Sequence, residues 1–562
     1  MIKQLEIETI IDDLNTLYNN RGAWVYDNIV SLVKKYRPLI ANKENSLTEK
    51  DIVLITYGDN IQKEGNTHLS MLKKFVDTYC LPEINSTHIL PFCPYTSDDG
   101  FSVTDYFKID KELGTWDDIA SLSNNSNLMF DAVVNHMSKS SKWFQSYLAQ
   151  EEGFQDFFTS VDPKTDLSKV VRPRTLPLLT PFKDKNGIEK FVWTTFSEDQ
   201  VDLNYASPEV FIAVLDVLLF YVSRGAKLIR LDAIAFLWKT IGTNCLHLEE
   251  THTIIKLYKK VIQSLTKNVS IITETNVPHE ENISYFGNDN NEADLVYNFT
   301  LAPLLAYSIM KGDVNVLTNW AKSLEFPSDK VCFFNFTASH DGIGMRPLQN
   351  IISDDEIAKL ASLAEKNGGY VSYKNNEDGS QSPYELNCNY IDFLSNSTET
   401  DEVRIHKMLL TQAVMISMPG VPGIYFHSLV GSRNYNKGVE ESGIKRRVNR
   451  EKLNFDSLEK ELNTQGSLRN KVFTTYKQLL SIRTKETAFN PYGEATYKNI
   501  NNNVFIIKRQ HNQETIFTIY NFSNLPVKID ALAVNVFDLL NKKVVDESVW
   551  EIAPYQFNWY KK

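Results

Sequence analysis

The stretch GAKLIRLDAIAF (residues 225–236) has the pattern of a buried strand, but a cation and an anion interrupt it. Side chains alternate along a strand, so Arg230 and Asp232 point to the same face. Ionisable groups on the inner face of a sheet are costly unless they pair or take part in chemistry. The stretch alone leaves two explanations open, a structural ion pair or one part of a reactive site.

Strand-like and helix-like segments alternate along most of the chain. The strand candidates are 52–59, 87–92, 128–136, 227–234, 270–276, 294–299, 333–341 and 422–428. Between two of them lies THTIIKLYKKVIQSL (251–265), whose apolar residues recur at helical spacing. Alternating strands and helices predict parallel βα units, and about eight such units predict an α/β fold of the (β/α)8 TIM-barrel type.

The predicted domains are an N-terminal helical extension (1–50), the first part of the barrel (51–136), an inserted subdomain after the third strand (137–205), the rest of the barrel (206–488) with a loop insertion after the seventh strand (342–400), and a C-terminal all-β domain (489–562). Both insertions have an irregular pattern. The last domain is predicted from short β-runs such as TIFTIYNF (515–522).

Composition narrows the classes of function. The 562 residues carry a formal net charge of −11 and no long basic run, which argues against nucleic acid as a partner. No apolar stretch is long enough to span a bilayer, and the N-terminus lacks the apolar core of a signal peptide. The five cysteines are far apart and form no C-x-x-C pair, so we expect reduced thiols, neither disulfides nor a zinc site, and a cytoplasmic location.

Polar residues follow several of the predicted strands, at the ends where barrel enzymes place their active sites. They are Asp131, Asn135 and His136 after the third strand, Arg230 and Asp232 at the fourth, Glu274 at the fifth, and His340 and Asp341 at the seventh. A structural cluster of ion pairs would balance its charges. Here acids from several strand ends would converge with Arg230 as the evident cation, which favours chemistry over a structural ion pair.

Carboxylates that share a pocket suit retaining glycoside chemistry, in which one attacks the anomeric carbon and the other protonates the leaving oxygen. Arg230 would keep Asp232 ionised and nucleophilic. The negative charges of Asp232 and Asp341 would hold Glu274 protonated. Asp341 would lie against the sugar and its cationic transition state.

Four short blocks carry a resemblance to a known family. DAVVNH (131–136), IRLDAIAF (229–236), ITETN (272–276) and ASHDG (338–342) resemble the four sequence blocks of the α-amylase family of glycoside hydrolases. The resemblance implies that Asp232 is the nucleophile, Glu274 the general acid/base and Asp341 the transition-state stabiliser.

The same resemblance implies that His136, Arg230 and His340 bind the sugar or support the residues that do. Further motifs resemble the sucrose phosphorylase subgroup, namely ITYGD (55–59), ILPF (89–92), DDGF (98–101), VVRPR (170–174), PGVPGIYF (419–426) and VNR (448–450).

In that subgroup, residues matching Asp98, Phe101 and Arg450 hold the glucose ring, and the residue matching Phe196 forms an aromatic wall. By the same resemblance, Gln200 lies near the acceptor side. Arg174 matches a phosphate-binding position, and an arginine can bind phosphate in a bidentate way.

The acceptor side departs from sucrose phosphorylases. Where they have Y-Q-x-N, this chain has Tyr384 and Glu385 followed by Leu-Asn. The N-terminal extension together with RPRTLPLLTPF (172–182), ITETNVPHEENISYFG (272–287) and SPYELN (382–387) resembles glucosylglycerate phosphorylases. Those enzymes cleave 2-O-α-D-glucosyl-D-glycerate with phosphate to α-D-glucose 1-phosphate and D-glycerate.

Glu385 would repel phosphate or glycerate unless it bonds an intervening hydroxyl or arginine. The candidates for the cation that meets the glycerate carboxylate are Arg172, Arg174 and Lys374. The resemblance implies no metal, because the phosphorylase subgroup generally lacks the calcium that amylases hold near the position of Asn135. It implies no cofactor either, because the carboxylate nucleophile does the covalent work.

The expected partners are therefore a small-molecule α-glucoside and inorganic phosphate, without nucleic acid or membrane, and a homodimer stays open. The alternatives are a sucrose, sucrose 6′-phosphate or glucosylglycerol phosphorylase, or a hydrolase or transglucosidase of the same family. A more remote alternative is a non-catalytic, amylase-like ancillary protein. Such proteins typically lose the catalytic acids and carry a membrane helix, whereas this chain keeps all three acids.

Overall fold

Eight strands form a closed barrel in the computed structural model, which describes residues 10–44, 46–173, 176–376 and 380–562. The strands are β1 (Val53–Thr56), β2 (Ser86–Ile89), β3 (Asn127–Ala132), β4 (Ala226–Leu231), β5 (Ser270–Thr273), β6 (Leu295–Tyr297), β7 (Cys332–Asn335) and β8 (Val421–Tyr425). Their order around the barrel is β1-β8-β7-β6-β5-β4-β3-β2, so each strand lies beside its neighbours in the chain. The predicted (β/α)8 barrel is confirmed.

The barrel strands are apolar because parallel strands are covered on both faces. β1 and β7 are buried along their whole length, and their sequences are VLIT and CFFN. The registers are parallel for β3 with β4, β4 with β5, β5 with β6, β7 with β8, and β8 with β1.

The longer helices that alternate with the barrel strands are His68–Phe75, Trp116–Ser123, Pro208–Ser223, Glu249–Leu265, Leu301–Lys311, Asn315–Lys322, Asp401–Ser417 and Leu468–Arg483. Several of them begin with a side-chain cap. The side chain of Thr67 accepts a hydrogen bond from the amide of Ser70, that of Thr400 from the amide of Val403, and that of Ser467 from the amide of Asn470. The helix Glu249–Leu265 buries its apolar stripe, as its helical spacing predicts.

The N-terminal extension consists of two helices, Ile10–Tyr18 and Gly22–Tyr36. The second helix ends two residues before Pro38, which has no backbone N–H to donate to a further helical hydrogen bond. The described residues of 37–52 form no further helix, so the helical part is shorter than the predicted 1–50. Residues 1–9 of that prediction lie outside the described residues.

The insertion at 342–400 is more regular than predicted. It contains the helices Asp354–Lys366 and Tyr390–Phe393 and a three-stranded antiparallel sheet of Ile343–Gly344, Tyr370–Asn375 and Gln381–Asn387. The strand Gln381–Asn387 was not predicted, because it contains Pro383 and a proline cannot donate a backbone hydrogen bond to a sheet. The pairing of the two longer strands shifts register between Ser372 and Tyr373, where Tyr373 lies opposite Pro383.

The insertion at 137–205 also contains short regular elements. They are His136–Ser138, Lys142–Leu148, Leu179–Lys183, Glu189–Trp193 and Gln200–Asp202. The two strand pairs that they form are antiparallel. The boundaries of the predicted domains stay a prediction.

The chain divides into two compact units. The first comprises Met1–Ser46, His88–Thr275 and Ile283–Val296, and the second comprises Leu47–Thr87, Asn276–Asn282 and Tyr297–Lys562. The second unit ends in a six-stranded antiparallel sheet, whose strands are Glu494–Ile500, Val504–His511, Glu514–Asn521, Phe557–Lys561, Val536–Asp538 and Lys543–Val545. This sheet is the predicted C-terminal β domain, and its core contains Val504, Ile519, Trp550 and Tyr560.

Within the described ranges, none of the helices combines the length and the hydrophobicity that a bilayer span requires.

His427 is a buried histidine in the short helix after β8 (Phe426–Leu429), and it is 1% exposed. The side-chain amide of Asn60 donates to Nε2 of His427 at 3.1 Å. The proton of the neutral ring is therefore on Nδ1, which donates to the Ser432 hydroxyl at 2.9 Å. Burial, together with the charges of Arg469 and Lys452, lowers the pKa of His427 from 6.5 to about 3. The folded protein therefore keeps this imidazole neutral at a pH where the unfolded chain protonates it.

We expect His427 to weaken the fold as pH falls below its unfolded pKa, because only the unfolded chain then takes up the proton. A His427→Gln variant lacks this proton uptake. From about pH 6 to about pH 4, the wild type should lose about 1.4 kcal/mol of stability per pH unit more than the variant. Urea unfolding of both proteins measures this difference. Parallel losses of stability would contradict the assignment of a neutral, buried His427.

Candidate active site

Arg230 is the second-last residue of β4 and is 1% exposed. Its Nη1 pairs with the carboxylate of Asp131 and lies 2.8 Å from Oδ1 of Asp232. Its Nη2 lies 3.8 Å from Oε2 of Glu274. The ends of three adjacent strands in the first unit therefore bring three acids to one guanidinium group.

Asp131 is also held by His88, whose Nε2 lies 2.6 Å from its Oδ2. Both side chains are fully buried, and burial lowers the pKa of His88. Asp131 is therefore a buried counter-ion of Arg230, with no exposed surface for a substrate. The sequence did not point to His88, because its partner follows 43 residues later on another strand.

Backbone geometry links Asp232 to Glu274. Ala233 follows Asp232 in a left-handed conformation with φ of 49°. Its amide donates to Oε2 of Glu274 at 3.0 Å. A left-handed alanine costs about 1–2 kcal/mol, and such strain is typical of functional sites.

The residues predicted for the glucose ring in the first unit lie together. Nε2 of His136 donates to the carbonyl of Phe101 at 2.9 Å, and its ring lies 5.1 Å from that of Phe196. Burial lowers the pKa of His136, so the neutral imidazole is favoured. The amide of Gln200 lies 3.0 Å from the carbonyl of Phe101 and 3.3 Å from Oδ2 of Asp98. Gln200, predicted near the acceptor, therefore contacts residues predicted for glucose.

The loop with Asp98 is clamped by Asp199, which the sequence did not single out. Asp98 and Asp99 both have left-handed backbone, with φ of 54° and 49°. One carboxylate oxygen of Asp199 accepts hydrogen bonds from the hydroxyls of Thr96 at 2.5 Å, Ser97 at 2.5 Å and Ser102 at 2.8 Å. These bonds fix both sides of the strained pair.

Lys239 lies beside Asn135. Nζ of Lys239 lies 2.8 Å from Oδ2 of Asp202 and 3.3 Å from Oδ1 of Asn135. All three residues are in the first unit, and the two oxygen-bearing side chains are fully buried. The ammonium group supplies the positive charge that the buried carboxylate of Asp202 requires.

In the second unit, Asp341 lies beside two arginines and a histidine. Its Oδ1 lies 2.6 Å from Nη1 of Arg446 and 3.8 Å from Nη2 of Arg450, and its Oδ2 lies 3.4 Å from Nε2 of His340. Arg450 donates to the carbonyl of His340 at 2.7 Å. The ring of Tyr57 lies 5.8 Å from that of His340 and 5.6 Å from the guanidinium carbon of Arg450.

Glu385 is neutralised by Arg446, a residue that the sequence analysis missed. Its Oε1 accepts from Nε of Arg446 at 2.9 Å, and its Oε2 accepts from Nη2 at 2.7 Å. Oε1 also accepts from the amide of Gly342 at 2.8 Å. A Cβ at position 342 would lie 2.5 Å from this carboxylate, so the close approach requires glycine. The repulsion expected from Glu385 is therefore offset by an arginine.

The other predicted acceptor residues are spread out. The carbonyl of Tyr384 accepts from the amide of Met345 at 3.0 Å. Lys374 lies on the strand Tyr370–Asn375, and burial and the charge of Arg346 lower its pKa. Arg172 is exposed. Arg174 lies outside the described residues.

We expect Asp199→Ala to raise the KM for an α-glucoside donor about tenfold or more, because two left-handed residues that each cost about 1 kcal/mol lose their clamp. Steady-state kinetics with the matched variant Glu198→Ala measure this effect, since the Glu198 side chain is 76% exposed. An unchanged KM in Asp199→Ala would show that the clamp does not position Asp98.

Comparisons with known proteins agree with this geometry. Residues 83–342 match the family described as "Alpha amylase, catalytic domain". The glucosylglycerate phosphorylase of Escherichia coli is 41% identical over 559 residues, covering 99% of this chain and 100% of that protein. The glucosylglycerate phosphorylase of Allomeiothermus silvanus is 46% identical over 486 residues, covering 86% of this chain and 87% of that protein.

A solved structure with the same fold is the sucrose 6F-phosphate phosphorylase of Thermoanaerobacter thermosaccharolyticum, with a TM-score of 0.75 and 23% identity. The match covers 89% of this chain and 98% of that one. The barrel and the identity of 41% and 46% to two relatives over most of the chain lead to one conclusion: the chain belongs to the family of glucosylglycerate phosphorylases, within the α-amylase group of barrel enzymes.

Proposed function

We propose that this protein is a retaining phosphorylase that cleaves 2-O-α-D-glucosyl-D-glycerate with inorganic phosphate, giving α-D-glucose 1-phosphate and D-glycerate. The observation that carries the chemistry is the contact of Arg230 with both Asp232 and Glu274. Two carboxyl groups on one guanidinium suit the short separation of retaining enzymes, whereas inverting enzymes leave a gap for water. The substrate class is proposed from the two relatives.

In the first step, a carboxylate oxygen of Asp232 attacks the anomeric carbon, and the bond to the glycosidic oxygen breaks. The carboxyl group of Glu274 gives its proton to that oxygen, so D-glycerate leaves with a hydroxyl group. Arg230 stabilises the ionised form of Asp232 through a charge-assisted hydrogen bond. The product of this step is a glucosyl ester of Asp232.

The protonation states follow from the charges around Arg230. One cation faces the buried carboxylate of Asp131 and the carboxylate of Asp232, so these three groups carry a net negative charge. A negative charge on Glu274 would add to that excess, and we propose that Glu274 enters the first step in the acid form that this step requires.

In the second step, an oxygen of phosphate attacks the anomeric carbon, and the bond to Asp232 breaks. Glu274, now ionised, accepts the proton of the incoming phosphate and returns to its acid form. Two inversions at the same carbon retain the α configuration, and no cofactor or metal takes part in either step.

Asp341 is the proposed stabiliser of the positive charge that develops on the sugar ring. Arg446, Arg450 and His340 hold its carboxylate in the second unit. The residues proposed for the glucose ring are Asp98, Phe101, His136, Phe196 and Arg230 in the first unit and His340 and Arg450 in the second. We add Gln200 because of its contacts with Asp98 and Phe101.

The proposed phosphate and acceptor residues are Arg172, Arg174, Lys374, Tyr384 and Glu385. An arginine suits phosphate because its planar fork matches two oxygens at once. We further propose a cytoplasmic enzyme without nucleic-acid partners, which acts as a monomer or a homodimer. The burial of all five cysteines as free thiols is in line with that location.

We expect Asp232→Asn to lower turnover by several orders of magnitude, because a neutral amide cannot attack the anomeric carbon. Glu274→Gln should lose activity on the natural donor but retain reaction with α-glucosyl fluoride, whose leaving group needs no proton. Initial rates on both donors measure the difference. Equal losses on both donors would argue against Glu274 as the acid, and near-normal turnover of folded Asp232→Asn would exclude it as the nucleophile.

The acceptor is tested by running the reaction in reverse from α-D-glucose 1-phosphate. We expect phosphate release with D-glycerate to exceed that with glycerol, fructose or fructose 6-phosphate by at least ~10-fold, because an unpaired buried charge costs more than about 1.4 kcal/mol. In the forward direction, phosphate should accelerate donor cleavage. A preference for another acceptor would overturn the substrate assignment, and no effect of phosphate would overturn the phosphorylase assignment.

A further inference from the structure

We infer that Arg446 binds the carboxylate of the acceptor and that Glu385 orients its guanidinium group for this task. The inference rests on the proposed function and names a specificity residue that the motifs did not indicate. The observations that carry it are the two contacts of Arg446, one with Asp341 and one with Glu385.

The chemistry of the proposed donor fixes where this cation must lie. In 2-O-glucosylglycerate the carboxylate is attached to the carbon that carries the glycosidic oxygen. It therefore enters the site only a few bonds away from the anomeric carbon, beside the groups that act on it. Asp341 is one of those groups and is negative. An acceptor carboxylate in this place needs a cation next to Asp341 to offset the repulsion.

Arg446 lies in that place. Its Nη1 is 2.6 Å from Oδ1 of Asp341. The two other basic groups around this carboxylate are buried, with exposed side-chain fractions of 1% for Arg450 and 3% for His340, whereas Arg446 is 22% exposed. Of the three, Arg446 has the surface that a second, exchangeable ligand requires.

The geometry of Arg446 suits a carboxylate. Its Nε and Nη2 form parallel hydrogen bonds to the two oxygens of Glu385, the fork-like arrangement that arginine adopts with carboxylates. The Glu385 side chain is 6% exposed, and Asp341 is 22% exposed. The guanidinium is therefore anchored at its buried end by Glu385 and directs its more exposed end towards Asp341.

Glu385 is itself fixed in place. It lies on the strand Gln381–Asn387, pairs with Ser372 of the neighbouring strand, and accepts a hydrogen bond from the amide of Gly342, next to Asp341. Glu385, which alone would repel an anionic acceptor, instead determines the position of the Arg446 guanidinium group. A preorganised guanidinium loses less conformational entropy when its ligand binds.

The test is the ratio of kcat/KM for D-glycerate to that for glycerol, measured in the reverse reaction. Both acceptors use the same glucosyl transfer, so a loss of support for Asp341 cancels from the ratio. We expect Arg446→Gln to lower this ratio at least tenfold, whereas Lys437→Gln should leave it unchanged. Lys437 is a matched control, because it belongs to an exposed surface pair with Glu441.

A second measurement is needed if Arg446→Gln is folded but too inactive for kinetics. Calorimetric titration should show that Arg446→Gln weakens the Kd for D-glycerate at least tenfold. Arg446→Lys should weaken it less, because it keeps the charge but loses the fork. An unchanged ratio, or an unchanged Kd, would overturn the role of Arg446. If the wild type itself does not prefer D-glycerate, the proposed function fails instead.

Discussion

Arg230 is the buried charge on which the first unit depends. An arginine that is 1% exposed needs partners for its charge, because an unpaired buried ion costs several kcal/mol. Asp131 and Asp232 provide these partners from the ends of β3 and β4, and Glu274 approaches from β5. The need to neutralise one cation thus fixes the positions of the carboxyl groups to which we assign the chemistry. The strained backbone of Ala233 adds a hydrogen bond to the same arrangement.

The second unit uses the inverse arrangement, in which an acid lies beside two arginines. Asp341 contacts two arginines and a histidine, and one of these arginines is shared with Glu385. We propose that the arginines beside Asp341 have two roles, one towards the glucosyl group and one towards the acceptor. They hold the carboxylate against the sugar, and they offer a cation to an acceptor that is itself negative. A neutral acceptor such as fructose would gain nothing from that cation.

Much of the fold and the main acids could be predicted from sequence, because they depend on local patterns. The strands are apolar runs, and Asp232 and Glu274 interrupt or end such runs. The contacts of His88, Asp199 and Arg446 could not be predicted, because each joins residues that are distant in the chain. The strand with Pro383 was missed because proline breaks the strand pattern. Gln200 was assigned to the acceptor by resemblance, and only its contacts relate it to Asp98.

The central claim is a covalent glucosyl intermediate on Asp232, and peptide mass spectrometry tests it most directly. The Glu274→Gln variant should react with α-glucosyl fluoride without help from an acid and then lack the base that activates water. In the absence of phosphate, the account predicts that the peptide with Asp232 gains the mass of one glucosyl unit. Added phosphate should remove it as α-D-glucose 1-phosphate, because phosphate has an ionised oxygen that attacks without a base. An adduct on another residue, or release of α-D-glucose 1-phosphate without any adduct on Asp232, would contradict it.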